Sequence, residues 1–421
     1  RVNAYVNYTL GANVEQLALY GSATAGTGNT LDNTLWANAT LGSSLSGGVG
    51  NDTLNGGAGN DTLNGGAGSD YYYVNSGGDS VVEAADAGND YVYASVNFTL
   101  AANIEGLILR GIATTGIGNA LDNWMVPDGT LGYTMYGLEG NDQMDAFKST
   151  GNCYLDGGNG NDYIEGGSGN DTLIGGSGND DFYGGEGNDR LEGGDGDDWL
   201  AGTEGNDTLI GGAGNDGYSF STGDVIDEAS STGGVDTVNA WSNYTLGANL
   251  EHLTLNGSAT TGTGNTLNNS LKANIGAASS LYGLGGTDTL TGGAGSDTLY
   301  GGDGSDTYNI KPDDVIIEAN TLVSGTRDLV NLAALDGADP ALWDTVYYLP
   351  DNVEELRVTG GSIYGTVGIE GNALSNTIDA SGVSAYYSLL NGGEGNDTLH
   401  GSAGFDTLDG GARTDTASYL T

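Results

Sequence analysis

The sequence predicts an all-β fold, a right-handed parallel β-roll or β-helix solenoid. Three observations carry that prediction. One nine-residue phrase, Gly-Gly-x-Gly-x-Asp-x-apolar-x, recurs along the chain. It forms a run of seven from Gly157 to Ser219, runs of three from Gly47, Gly283 and Gly392, and a lone copy at Gly137. Self-similarity at a fixed period is the mark of stacked repeats. A longer lead-in segment precedes each set of nonapeptides and alternates apolar with polar residues, as half-buried strands do. No convincing helix of ten or more residues is present.

Each module is read in the same order. The first, residues 1–90, opens with the lead-in NYTLGANVEQLAL (Asn7 to Leu19), where Val14, Leu17 and Leu19 alternate inward. A Gly28-Asn29 step follows, then the run from Gly47, then an acidic exit, GGDSVVEAADAGND (Gly77 to Asp90). The second module, 91–236, repeats the lead-in at Asn97 to Leu109 and the step at Gly118-Asn119, and carries the lone copy and the run of seven. The third, 237–328, has its lead-in at Asn243 to Leu255, with Leu250, Leu253 and Leu255 inward, and its step at Gly264-Asn265. The fourth, 329–421, has a worn lead-in, YYLPDNVEELRV (Tyr347 to Val358), and a step at Gly371-Asn372. One continuous solenoid that grows by adding coils accounts for their unequal lengths.

The nonapeptide phase extends upstream of the motif. Leu45, Met135, Leu281 and Leu390 keep the apolar eighth position, while Ser43, Tyr133, Ser279 and Ser388 stand at the sixth. The coil therefore continues there without a metal ligand. KSTGNCYLD (148–156) is another worn copy, with Cys153 in place of aspartate and Ala146-Phe147 inserted before it as a bulge.

Composition narrows the function. The chain has 421 residues, with 79 Gly and only 4 Pro. Collagen's three-residue period is missing, and in-phase Leu, Ile, Val and Tyr argue against glycine-rich disorder. The net charge of −47 excludes nucleic acid and anionic membrane surfaces as partners. Asp predominates over Glu, and a large share of the Asp sits at one repeat position, which generic solvation would not select. One cysteine allows no intrachain disulfide. No apolar run is long enough for a transmembrane helix. Arg1 is not a start methionine, and the chain begins mid-pattern, as a piece of something longer would.

The motif's chemistry follows from its geometry. Six residues of turn and three of strand place two nonapeptides in one 18-residue coil. Stacked coils then form two parallel sheets about 4.8 Å apart from strand to strand. Aspartates of alternate repeats stack on one edge, where their charges repel. A calcium ion between successive turns converts that repulsion into coordination by carboxylate and backbone carbonyl oxygens. The core is thin, so folding should depend on the metal. Alternate pairing predicts about eight complete sites. They are Asp52 with Asp70; Asp162 with Asp180; Asp171 with Asp189; Asp180 with Asp198; Asp189 with Asp207; Asp198 with Asp216; Asp288 with Asp306; and Asp397 with Asp415. Asp61, Asp142, Asp297 and Asp406 are expected in half-sites at run ends.

Three runs end on an eighth-position tyrosine: Tyr72, Tyr218 and Tyr308. These are expected to widen the coil where the roll meets the next lead-in. The acids just beyond them (Asp79 and Glu83, Asp224 and Glu228, Asp314 and Glu318) either close the last half-site or form a solvated loop. Asn33, Asn123, Asn269 and Asn376 fit turn caps that stack between coils. Other signals are weak. GAGNDG (Gly212 to Gly217) mimics a dinucleotide loop through repeat grammar alone. His252 and His400 are isolated, there is no HExxH or nucleophile elbow, and no enzyme activity is expected of this chain.

The nonapeptides resemble the RTX (repeats-in-toxin), or haemolysin-type calcium-binding, family, and the lead-ins look like spacers of large multi-run members. That resemblance implies a parallel β-roll, type I secretion from a Gram-negative bacterium, and folding on calcium outside the cell. Thr203 and Leu284 at the second glycine, Arg413 at the fourth, and Cys153 at the aspartate depart from the family pattern. Two functions fit. One is a structural solenoid of an extracellular matrix, surface layer, adhesin or filament, with end-to-end or lateral self-association. The other is the C-terminal calcium-dependent secretion and folding module of an exported protease, lipase or haemolysin. The near-complete coverage by repeat, lead-in and exit favours the first.

Overall fold

A computed structural model describes residues 1–85, 88–228, 234–318, 327–333, 346–360 and 362–419. Among these residues there is no helix; every regular element is a strand, and every strand pair is parallel. The fold is a β-solenoid. The chain divides into two compact units, 1–234 and 235–421. That division falls close to the boundary between the second and third modules.

The repeat spacing sets the register. In the long run Leu155 pairs with Leu173 and Leu173 with Leu191, each 18 residues on. Two nonapeptides therefore make one coil, and repeats one and three share an edge. The first unit has one sheet that runs unbroken from Val2–Ala4 to Gly217–Phe220. Its opposite face is two sheets, Tyr8–Thr9 to Ser80–Val82 and Phe98–Thr99 to Val225–Ile226. The break falls where the first exit meets the second lead-in. The second unit repeats this plan. One sheet spans Thr237–Ala240 to Thr416–Ser418, and two face it.

Strands in the runs are longer than the three residues expected. Thr172–Ser177 continues through both glycines, because Gly176 pairs with Gly158 of the preceding coil. Identical turns stack in register, so their backbone groups can bond to one another. This requires close approach. Gly176 has φ of +111°, and a Cβ there would stand 2.1 Å from the Gly158 carbonyl oxygen. Leu138, Thr203 and Leu284 at the same repeat position hold φ of 88°, 77° and 78° and stay in the ladder.

The eighth positions form the core. Leu63, Ile164, Leu173, Phe182, Leu191 and Leu209 are all 0 % exposed, and so are Leu45, Met135, Leu281 and Leu390 upstream of the motifs. The coil does run on through the segments upstream of the motifs. Lead-in strands Gln16–Leu19, Gly106–Leu109 and His252–Leu255 bury Leu17 and Leu19, Leu107 and Leu109, and Leu253 and Leu255. Each lead-in turns on an asparagine in the left-handed region: Asn13, Asn103, Asn249 and Asn352. The Ala146-Phe147 insertion lies outside the strands, in the turn after Gln143–Asp145.

Candidate metal centre

Each sixth-position aspartate is fixed by the coil beneath it. Asp162 N–H donates to Asp180 Oδ1 at 2.7 Å, and Asp180 N–H donates to Asp198 Oδ1 at 2.8 Å. On the other edge Asp171 N–H donates to Asp189 Oδ1, and Asp189 N–H to Asp207 Oδ1. Asp52 with Asp70, Asp198 with Asp216, Asp288 with Asp306 and Asp397 with Asp415 are joined in the same way. All eight alternate pairs are thus in register. Asp142, expected in a half-site, also pairs: its N–H donates to Asp162 Oδ1 at 2.7 Å. The two inserted residues stretch the spacing to 20 and restore the stack. The C-terminal acids Asp406 and Asp415 are only half-buried.

The second carboxylate oxygen distinguishes the aspartates. Oδ2 of Asp52, Asp70, Asp142, Asp162, Asp171, Asp180, Asp189, Asp198, Asp207, Asp288, Asp306 and Asp397 is buried and meets no hydrogen-bond donor. A buried carboxylate oxygen without a partner is costly, and it repeats at a fixed position. Backbone oxygens share its surroundings. A Cβ on Gly175 would stand 2.1 Å from Asp180 Oδ2 and 2.8 Å from the Gly193 carbonyl oxygen of the next coil. Glycine keeps that cradle open. The two polar atoms nearest that point are both oxygens, the donor type of a hard cation.

Other acids lack such an oxygen. Asp61 Oδ2 accepts from Gly57 N–H at 2.8 Å, and Asp297 Oδ2 accepts from Gly293 N–H at 2.7 Å. Their Oδ1 atoms accept from Ser43 and Ser279 N–H. Asp406 accepts from Ser402 N–H and from the Ser388 and Ser402 hydroxyls. Asp61, Asp297 and Asp406, expected in half-sites, carry no donorless buried oxygen. The Gly-Asn step is followed by asparagines that occupy the sixth position of the coil below each run. Asn33 Oδ1 accepts from Asn29 N–H, while Asn33 N–H donates to Asp52 Oδ1. Asn123, Asn269 and Asn376 do the same for Asp142, Asp288 and Asp397. Cys153 occupies its place through N–H donation to Asp171 Oδ1, with its thiol buried against Ser149 and pushed upward by burial.

Without a cation this edge holds protons tightly. Burial pushes Asp198 up to about 8; the Asp180 N–H pulls it down, and Asp180, Asp216 and Asp197 repel it further upward. Burial likewise brings Asp52, Asp142, Asp180, Asp189 and Asp288 to about 7. Asp70, Asp162 and Asp207 rise to about 6 for the same first reason.

The exit acids are not a solvated loop. Asp79, Asp224, Glu228 and Asp314 are buried. Asp79, Asp224 and Asp314 each stack on a run, through Asp61, Asp207 and Asp297 N–H respectively. Each then turns its Oδ2 to its own turn, accepting from Ser76, Ser221 or Lys311 N–H.

The family model described as RTX calcium-binding nonapeptide repeat (4 copies) matches residues 46–81, 156–191, 192–224, 280–309 and 390–416. The chain carries RTX calcium-binding nonapeptide repeats in these five segments. The oxygen cradles described above lie largely in those segments, and calcium is the ion such RTX repeats bind. The lone copy at Gly137 to Asp145 falls outside them, yet its Asp142 carries the same donorless oxygen. No curated protein matches this RTX chain. No helix among its described residues is long and apolar enough to cross a membrane.

Proposed function

We propose that this RTX solenoid has a structural role outside the cell, as the working part of a matrix, surface layer, adhesin or filament. It is exported from a Gram-negative bacterium by type I secretion and folds when it meets calcium. The observation that carries the reading is the ladder of buried carboxylates with donorless Oδ2 atoms. A chain with this ladder and a net charge of −47 resists folding where calcium is scarce. Extracellular calcium modules work at roughly 10⁻⁴–10⁻³ M. We read the chain as non-catalytic, since lead-in, nonapeptide and exit account for nearly all of it.

Two measurements test this. Calcium titration of metal-free protein, followed by circular dichroism, is expected to bring up the strand signal cooperatively; a signal insensitive to excess chelator refutes calcium-dependent folding. Electron microscopy and sedimentation in calcium address the scaffold role. Rods or sheets are expected, and only monomers at high concentration refute it.

A further inference from the structure

The run exits hold a second kind of acidic cluster. Carboxylate oxygens of Asp70, Glu83 and Asp90 all lie within 4.8 Å of one another, and so do those of Asp306, Glu318 and Asp328. Only Asp70 and Asp306 belong to nonapeptides. Glu83 and Asp90 lie beyond the matched segment 46–81, and Glu318 and Asp328 lie beyond 280–309. In the first cluster one acid comes from the last repeat and two from the exit, Glu83 within it and Asp90 at its end.

The cluster is oriented as a site. Asp52 N–H anchors Asp70 Oδ1 at 2.6 Å, and Asp70 N–H anchors Asp90 Oδ1 at 2.7 Å. Tyr72 is 0 % exposed, and its hydroxyl crosses the coil interior to donate to Glu83 Oε1 at 2.6 Å. Gly66 N–H donates to the same oxygen, and Gly65 N–H donates to the Tyr72 hydroxyl. The remaining oxygens, Asp70 Oδ2, Glu83 Oε2 and Asp90 Oδ2, are buried without a donor. Asp70 and Asp90 are themselves 0 % exposed.

The second unit repeats the carboxylate stack, although the Tyr308 hydroxyl is buried without a hydrogen-bond partner. Asp288 N–H anchors Asp306 Oδ1, and Asp306 N–H anchors Asp328 Oδ1, both at 2.8 Å. A Cβ on Gly301 would stand 2.0 Å from the Tyr308 hydroxyl, 2.4 Å from Asp306 Oδ2 and 2.6 Å from Glu318 Oε1. At the exit of the long run Tyr218 donates to Glu228. Tyr72 and Tyr218 therefore each hold an exit glutamate. A Leu at the eighth position has no group to hold the exit glutamate.

We propose that Asp70–Glu83–Asp90 and Asp306–Glu318–Asp328 each bind one further calcium ion, at exit sites distinct from those between nonapeptides. Three ionised carboxylates this close repel unless a cation joins them. The absence of nitrogen or sulfur donors from the triads selects a hard ion. The ion ties the exit segment to the coils on both sides of it and closes the run. This rests on the reading of the chain as a calcium-loaded solenoid.

Calcium bound per full-length chain, measured by equilibrium dialysis and atomic emission, tests the proposal. Glu83→Gln and Glu318→Gln are each expected to lower the count by one, and the double variant by two, with the strand signal in saturating calcium retained. An unchanged count in the double variant overturns the exit sites while leaving the nonapeptide sites standing. A wild-type chain that takes up no calcium overturns both readings. Should the double variant fail to fold in calcium, Tyr72→Phe decides. It keeps all three carboxylates, so the count is expected to hold while one ion binds about tenfold more weakly. An unaltered isotherm there overturns the proposal.

Discussion

Acid and calcium should stabilise this fold by the same route and therefore act in opposition. The perturbation is pH, applied to metal-free chain. Asp52, Asp142, Asp180, Asp189 and Asp288 stand near 7 in the folded chain against 3.8 when exposed, chiefly through burial. A folded value raised above the unfolded one means stability that is complete below pH 3.8. It is lost progressively as pH climbs through about 7. Each tenfold change in proton affinity is about 1.4 kcal/mol, so one such carboxylate costs about 4 kcal/mol at pH 8 before screening. Allowing for water at the solenoid edge, we take about 2 kcal/mol each. Several together reach the 5–15 kcal/mol that holds an ordinary domain folded. The assay is circular dichroism of calcium-stripped protein from pH 4 to 8, beside calcium affinity over the same range. The strand signal is expected to fall as pH rises, with a midpoint between 6 and 8 rather than near 4. Calcium affinity is expected to rise, because its ligands must lose protons. More strand at pH 8 than at pH 5 without calcium refutes the reasoning.

Other substitutions separate the contributions. Asp189→Asn keeps the oxygen that accepts from Asp171 N–H and removes a charged ligand. It should weaken calcium binding by about 2–3 kcal/mol, yet raise metal-free stability; titration calorimetry and melts in chelator check both signs. Leu284→Gly relieves a φ of 78° at a half-exposed position. It should add about 0.5–1 kcal/mol in calcium, read as a higher urea midpoint. Phe182→Ala empties a fully buried eighth position and should cost about 3–5 kcal/mol by the same assay.

The coil was legible because stacking demands congruence. Only a repeat of fixed length puts Leu173 over Leu155 and Asp180 over Asp162, so period and ligand spacing are written directly in the residues. What the spacing hid were the places where chain is inserted. Asp142 meets Asp162, Asp70 meets Asp90 and Asp306 meets Asp328 at separations of 20, 20 and 22. The stack keeps its register across these longer separations, and a search at 18 passes over them. The acids of the exits, Glu83 and Glu318, carry no motif. For Glu83 the signal was the preceding Tyr72, and it becomes interpretable only once the hydroxyl is seen to reach the glutamate.

Motif identity also stops short of ligand identity. Gly65 to Asp70 and Gly292 to Asp297 share one hexapeptide, GGAGSD. In the first, Gly66 takes φ of +109° and Asp70 Oδ2 meets no donor. In the second, Gly293 N–H turns in and satisfies Asp297 Oδ2. The difference lies in the neighbours. Asp70 stands between Asp52 and Asp90, whereas Asp297 stands between Ser279 and Asp314, whose own Oδ2 is already taken by Lys311 N–H. The same rule governs the start of each run, where Asn33, Asn123, Asn269 and Asn376 place a satisfied amide oxygen in the cradle. Along the ladder, then, the groups that meet the second oxygen decide which carboxylates are left with a donorless buried oxygen. Where backbone N–H groups turn inward the coil closes on itself; where glycine turns them away, the buried oxygen is left to a proton or a hard cation.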